Sequence, residues 1–131
     1  MSNFQFLHKQ WPVIFEIAKE AEDMANIKAR SSITCARSAL EKGIRWMFEN
    51  DDRLYYEYDS RRTVGNLLLS DGLKLVTEKP LRRSLHFLQK LGNQAAHGEQ
   101  TDTDKANICL KILFEFMSHL AVSYSLSLIH I

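Results

Sequence analysis

Lys90, Asn93 and His97 are spaced by three and four residues, which places their side chains on one face of a helix. A cation, an amide and an imidazole arranged in this way can hold a phosphate, orient a ribose hydroxyl and move a proton. Arg83 and His86 precede them at helical spacing, and at 100° per residue the five fall within an arc of roughly 80°. No carboxylate lies between Arg83 and His97, although like charges on one helix face gain nothing from each other. A structural reading of the same residues stays open beside the chemical one. In that reading the face is merely solvated, Gly92 admits a neighbouring helix and Asn93 bonds its backbone. His97 then sits where the helix dipole favours a cation, and Gly98 supplies a left-handed stop.

The element that must position this stripe opens at Pro80 and continues to about Ala96 or His97, because proline suits a first turn and glycine a helix end. Leu81, Leu85, Leu88, Leu91, Gly92 and Ala95 form its opposite, apolar arc. After a polar loop, Asp102 or Thr103 caps a last helix carrying Ala106, Cys109, Ile112, Leu113, Phe116, Met117 and Leu120. The short connection requires these two helices to be antiparallel neighbours.

Two further long helices are expected upstream. The first runs from Pro12 to Met24 or Asn26, with Val13, Ile14, Ile17, Ala18 and Ala21 on its apolar face. The second covers Ala29 to Glu49, where Ile33, Ala36, Leu40, Ile44, Met47 and Phe48 form the stripe. Arg37, Glu41 and Arg45 make a charge ladder on its wet side, and the two arginines are candidates to join the basic stripe. Asn3 is expected to cap a short leading helix over Phe4 to Gln10, and Trp11-Pro12 restarts the chain. Asn50-Asp51-Asp52 reads as a solvated turn, and 53–62 as a connection over the surface. Thr63 to Leu69 reads as a short helix stopped by Ser70-Asp71-Gly72, followed by a segment packed through Leu73, Leu75 and Val76. The fold class is all-α, a bundle of four main helices with one or two short extra ones.

Composition narrows the function classes. The chain has 131 residues, 45% hydrophobic and 25% charged, with two prolines and five glycines, which suits one helical domain rather than a disordered or turn-rich β chain. Lys and Arg number 17 against 16 Asp and Glu, so any polyanion site must be a local patch rather than a global field. Cys35 and Cys109 lack CxxC spacing and read as a reduced pair of small core residues. No signal peptide and no apolar run near the roughly 20 residues of a membrane helix is read, so a cytoplasmic protein without membrane contact is expected. There is no GxxxxGK[ST], HExxH, clustered Cys/His set or GxSxG elbow. Neither a metal site nor a cofactor is therefore expected in these residues.

Three stretches carry a resemblance to a known family. Leu91-Gly92-Asn93-Gln94-Ala95-Ala96-His97-Gly98 resembles the R-x-G-N-x-A-A-H signature of a HEPN-like helical domain of unassigned function. That domain stands at the N-terminus of type I restriction enzyme R subunits and DEAD/DEAH helicase-like proteins. Asn3-Phe4-Gln5-Phe6-Leu7 followed by Trp11-Pro12 resembles their opening, and Cys35-Ala36-Arg37-Ser38-Ala39-Leu40-Glu41 is similar to their ARRALE pattern. The motifs occur in the family's order, and the resemblance extends to about Tyr124.

The resemblance implies a HEPN-like bundle over residues 1–125. It also implies an accessory, interaction role inside an ATP-dependent restriction or helicase assembly whose catalytic equipment lies outside these residues. Its implied partners are other domains or subunits of that assembly and DNA or RNA, with pairing of two copies a further option. Arg83, His86, Lys90, Arg37 and Arg45 are the candidate nucleic-acid contacts. The wider HEPN superfamily also implies an alternative, a metal-independent ribonuclease built on an Arg and a His. Carried onto this chain, its catalytic residues are His97, Lys90 and Asn93. Lys90 is a departure, since lysine keeps the charge but lacks the planar fork of arginine; six residues separate it from His97, the long end of the superfamily spacing. A scaffold domain without nucleic-acid contact is the third reading.

Leu126-Ser127-Leu128-Ile129-His130-Ile131 matches one reading frame of the transposon end used in sequencing libraries, CTGTCTCTTATACACATC. Residues 126–131 are therefore expected to be adapter-encoded, and the native chain to continue past Ser125.

Overall fold

The computed structural model describes residues 1–125; the expectation for 126–131 lies outside them. Seven α-helices and one 3-10 turn make up the described chain, with no strand among these residues. The helices are α1 (Pro12–Met24), α2 (Ala29–Asn50), α3 (Asp52–Tyr55), α4 (Val64–Leu67), α5 (Asp71–Val76), α6 (Lys79–Ala96) and α7 (Thr103–Tyr124). The all-helical architecture with four long helices agrees with the expectation, but three short α-helices, α3, α4 and α5, accompany them rather than one or two.

Local chemistry sets the helix starts. Pro12 opens α1, and Pro80 lies in the first turn of α6, where a missing N–H costs nothing. Asp51, Thr63, Ser70 and Asp102 each accept a backbone N–H at the start of α3, α4, α5 and α7, as good N-caps do. Asp102 rather than Thr103 is thus the cap of α7. Asn3 does not cap the leading turn: its own N–H donates to Glu22 Oε2, and Ser2 Oγ accepts from the Phe4 N–H. The 3-10 turn spans only Gln5–Leu7, shorter than the expected helix.

Side-chain pairs give the helix directions. Arg37 meets Asn93, and four residues later Glu41 meets Gln89 four residues earlier, so α2 and α6 are antiparallel. The Phe116 ring lies over Gly43 and Tyr124 bonds Asp51, so α2 and α7 are parallel. It follows that α6 and α7 are antiparallel, as their short connection requires. Ser32 Oγ donates to the Ala21 carbonyl and Trp11 meets Trp46 edge-on, so α1 runs opposite to α2. Helix α2 is the central element, packed by α1, α6 and α7.

Ile33, Leu40, Leu88, Ile112 and Phe116 are all buried, as the periodicity predicts. Helix α7 is long and apolar enough, by length and composition alone, to cross a membrane, which corrects the expectation that no stretch comes near this. Its Cys109, Leu113, Phe116, Met117 and Leu120 are buried inside the bundle.

Four other expectations are corrected. Val13 is 62% exposed, and Phe15 takes its place in the core; Ile14, Ala18 and Ala21 are buried as expected, so only the edge of the α1 stripe moves. Leu75 is 72% exposed, and Leu73 alone anchors α5 through full burial. The 53–62 segment is not wholly superficial, because Leu54 is buried and Tyr58 packs on Phe48. Asp51 is no solvated turn residue: its side chain is only 4% exposed, and it accepts hydrogen bonds from Tyr124 Oη at 2.6 Å and Arg53 Nη2 at 2.8 Å.

Candidate nucleic-acid interface

The basic stripe lies where the sequence places it. Arg83, His86, Lys90, Asn93 and His97 are all exposed along α6, while Leu85, Leu88, Leu91, Gly92 and Ala95 are buried on the opposite face. Helix α6 also begins one residue earlier than expected, which adds Lys79, four residues before Arg83, to the exposed row. That step of four was readable in the sequence; placing the helix start at Pro80 left Lys79 out. Among the described residues, the side chains of Lys79, Arg83, His86, Lys90 and His97 form no hydrogen bond or ion pair. Five cationic or titratable groups are thus free to meet an external anion.

The central helix contributes Arg37. Its stem lies directly over Gly92, where an added Cβ would come within 2.6 Å of Arg37 Cβ and Cδ. Its Nη1 donates to Asn93 Oδ1 at 2.9 Å. Gly92 and Asn93 therefore have a joint structural use: one makes room for an arginine and the other orients its guanidinium. Asn93 engages a side chain of α2, not the backbone expected from sequence. Glu41 lies 3.8 Å from Arg37 Nε and accepts from Gln89 Nε2 at 3.4 Å, so a carboxylate borders the seam on its α2 side.

Arg45 does not reach this surface. Its guanidinium donates to the carbonyls of Arg62 at 2.9 Å and Ser60 at 3.5 Å, bracing the loop before α4. The expected ladder is accordingly reduced to Arg37 and Glu41. Arg30, which the sequence reading passed over, donates to the carbonyls of Gly98 and Glu99 at 3.2 Å each. It ties the start of α2 to the end of α6. Gly98 has φ of +83°, its N–H donates to the Ala95 carbonyl, and the Glu99 N–H donates to that of Gln94. This paired closure ends α6 at His97, and the imidazole stays exposed at the last turn.

Metal chemistry has no cluster to work with: among the described residues no group of three His, Cys, Asp or Glu side chains could hold an ion. Cys35 and Cys109 are both free. Burial pushes the Cys109 thiol up to about 12, and burial together with the nearby Glu20 raises that of Cys35, so neither is a ready thiolate at neutral pH.

What the surface can do follows from these placements. A row of unpaired cations beside an oriented guanidinium can bind successive phosphates, with an accessible imidazole at one end. Set against known proteins, the chain matches no family model, no curated protein and no solved structure, so the reading of this surface stands on its own residues.

Proposed function

We propose that the chain is an accessory helical domain that contacts nucleic acid through the exposed face of α6, in the manner its resemblance to the HEPN-like N-terminal domain of restriction and helicase subunits implies. The observation that carries this reading is the unpaired row Lys79, Arg83, His86, Lys90 and His97, flanked by Arg37 held on Asn93 at 2.9 Å. Cations that only solubilise a helix are usually interspersed with acids; here the face has none from Arg83 to His97. Other domains or subunits of such an assembly are the further partners in this reading.

The test is binding of the whole chain to labelled oligonucleotides across a salt series. Affinity should fall steeply with salt, because each neutralised phosphate releases counterion. Lys90→Ala should lower that slope by about one unit with the fold intact. Absence of binding to both RNA and DNA at low salt would remove the reading and leave protein docking.

One observation favours ribonuclease chemistry as a second reading. Lys90 lacks the arginine fork, but Arg37 brings one to Asn93 from another helix. His97 would accept the 2′-hydroxyl proton as that oxygen attacks the adjacent phosphorus; the P–O5′ bond would break to leave a 2′,3′-cyclic phosphate, and the departing 5′-oxygen would take its proton from water. Cleavage of RNA in the presence of a chelator, lost in His97→Ala, supports this chemistry. Binding without cleavage retains the first reading alone.

A further inference from the structure

We infer that the nucleic acid taken by this face is single-stranded, with unpaired bases stacking on Phe87. The inference rests on the nucleic-acid reading above and adds the form of the ligand. Phe87 is 44% exposed on α6, four residues after Arg83 and three before Lys90. Those steps make its ring a surface neighbour of both cations. Phe4, Phe6, Phe15, Phe48 and Phe114 each have a ring partner, and Phe116 is fully buried. Phe87 alone of the seven phenylalanines is both exposed and without a ring partner among the described residues.

An aromatic ring set among unpaired cations matches what a single strand presents: a phosphate at every nucleotide and an open base face beside it. Cations track the backbone while the ring accepts a base, and stacking tolerates any sequence because every base has a π-face. A duplex could use Lys79, Arg83 and Lys90, but its base faces are hidden in its own stack and Phe87 would contribute nothing. From Lys79 to His97 the row extends about 27 Å along the helix axis, which suits a short single-stranded segment.

The experiment is fluorescence anisotropy of the full chain with labelled dT12, rU12 and a 12-base-pair duplex at low salt. The single strands should bind more tightly than the duplex. Phe87→Ala should weaken dT12 and rU12 about tenfold, with duplex affinity within about twofold and the salt slope unchanged. Phe87→Tyr or Phe87→Trp should keep single-strand binding, whereas Phe87→Leu, apolar but without a π-face, should not. The retained tyrosine variant separates stacking from any loss of fold. A weakening on either single strand that the duplex does not share supports the inference, and the ratio of the two distinguishes RNA from DNA. Unchanged single-strand binding in Phe87→Ala, full rescue by leucine, or equal losses on duplex and single strand would overturn it while leaving the nucleic-acid reading intact. No binding to any of the three removes both.

Discussion

Arg37 of α2 donates from Nη1 to Asn93 Oδ1 of α6 across 2.9 Å, over a glycine that leaves its stem no spare room. The two residues are 56 positions apart in the chain and act as one unit at the basic face. If Asn93 serves to aim Arg37 at a phosphate, Arg37→Ala and Asn93→Ala should each weaken oligonucleotide binding, and the double variant should lose less than the sum. A double-mutant cycle on dissociation constants should return a coupling of about 0.5–3 kcal/mol. Additive losses would show that the two contact the ligand independently.

Gly92→Ala probes the same contact from the packing side. The new methyl would meet Arg37 carbons at 2.6 Å, and overpacking of this kind costs about 1–3 kcal/mol. Urea unfolding should show that loss, and weakened oligonucleotide binding should accompany it as Arg37 shifts.

Asp51 and Tyr124 tie the ends of α2 and α7 together. Burial opposes the charge on Asp51, but hydrogen bonds from Arg53 and Tyr124 outweigh it and hold the carboxyl below its ordinary 3.8. A lowered folded value means the stabilisation is complete above the ordinary value and lost as pH falls through the folded one. Wild type should therefore lose more stability than Asp51→Asn between about pH 5 and pH 3 in denaturant titrations. Tyr124→Phe, which removes a donor to a buried carboxylate, should cost about 1.5–3 kcal/mol at neutral pH.

His119 of α7 contributes to the wall of a cavity of about 380 Å³ with Leu75, Val76, Thr77, Glu78 and Leu81, and its Nε2 has no hydrogen-bond partner. Burial lowers its pKa below the ordinary 6.5. The unfolded chain then takes up the proton first, so this contribution to stability falls as pH drops from 6.5 toward the lowered folded value and is flat above. His119→Leu should flatten the melting temperature between about pH 7 and pH 5. An unchanged pH profile would show that the imidazole is solvated in both states.

Phe116 and Gly43 test the seam between α2 and α7. Phe116→Ala should cost about 3–5 kcal/mol, since the ring is fully buried. Gly43→Ala would set a methyl 2.5 Å from that ring and should cost about 1–3 kcal/mol. Leu88→Ala, on the buried side of α6, should cost about 2–5 kcal/mol with the basic face left in place.

Periodicity alone makes α6 legible in the sequence. Its apolar and basic arcs lie on opposite sides, proline and glycine mark its ends, and these signals act within a turn or two of chain. The candidate face, the α2 stripe and the caps at Asp102 and Gly98 are local in the same sense. Val13 and Phe15 were harder: both are apolar, and either phase gives α1 a plausible stripe. Packing outside the helix decides it: the Phe15 ring is buried edge-on to His8 of the leading segment, and Val13 is left in solvent.

The amino-acid sequence by itself determined the four long helices and the outward row of cations on α6, because helix propensity and 3.6-residue periodicity are properties of neighbouring residues. Only the tertiary structure decided that Arg37 joins this row while Arg45 turns to the carbonyls of Ser60 and Arg62. It likewise decided that Asp51 is buried beneath a tyrosine 73 residues away. An arginine or aspartate in a sequence reads as solvated because hydration of its charge is the default. Which of them leaves water depends on whether packing brings a matching donor or acceptor within hydrogen-bond distance.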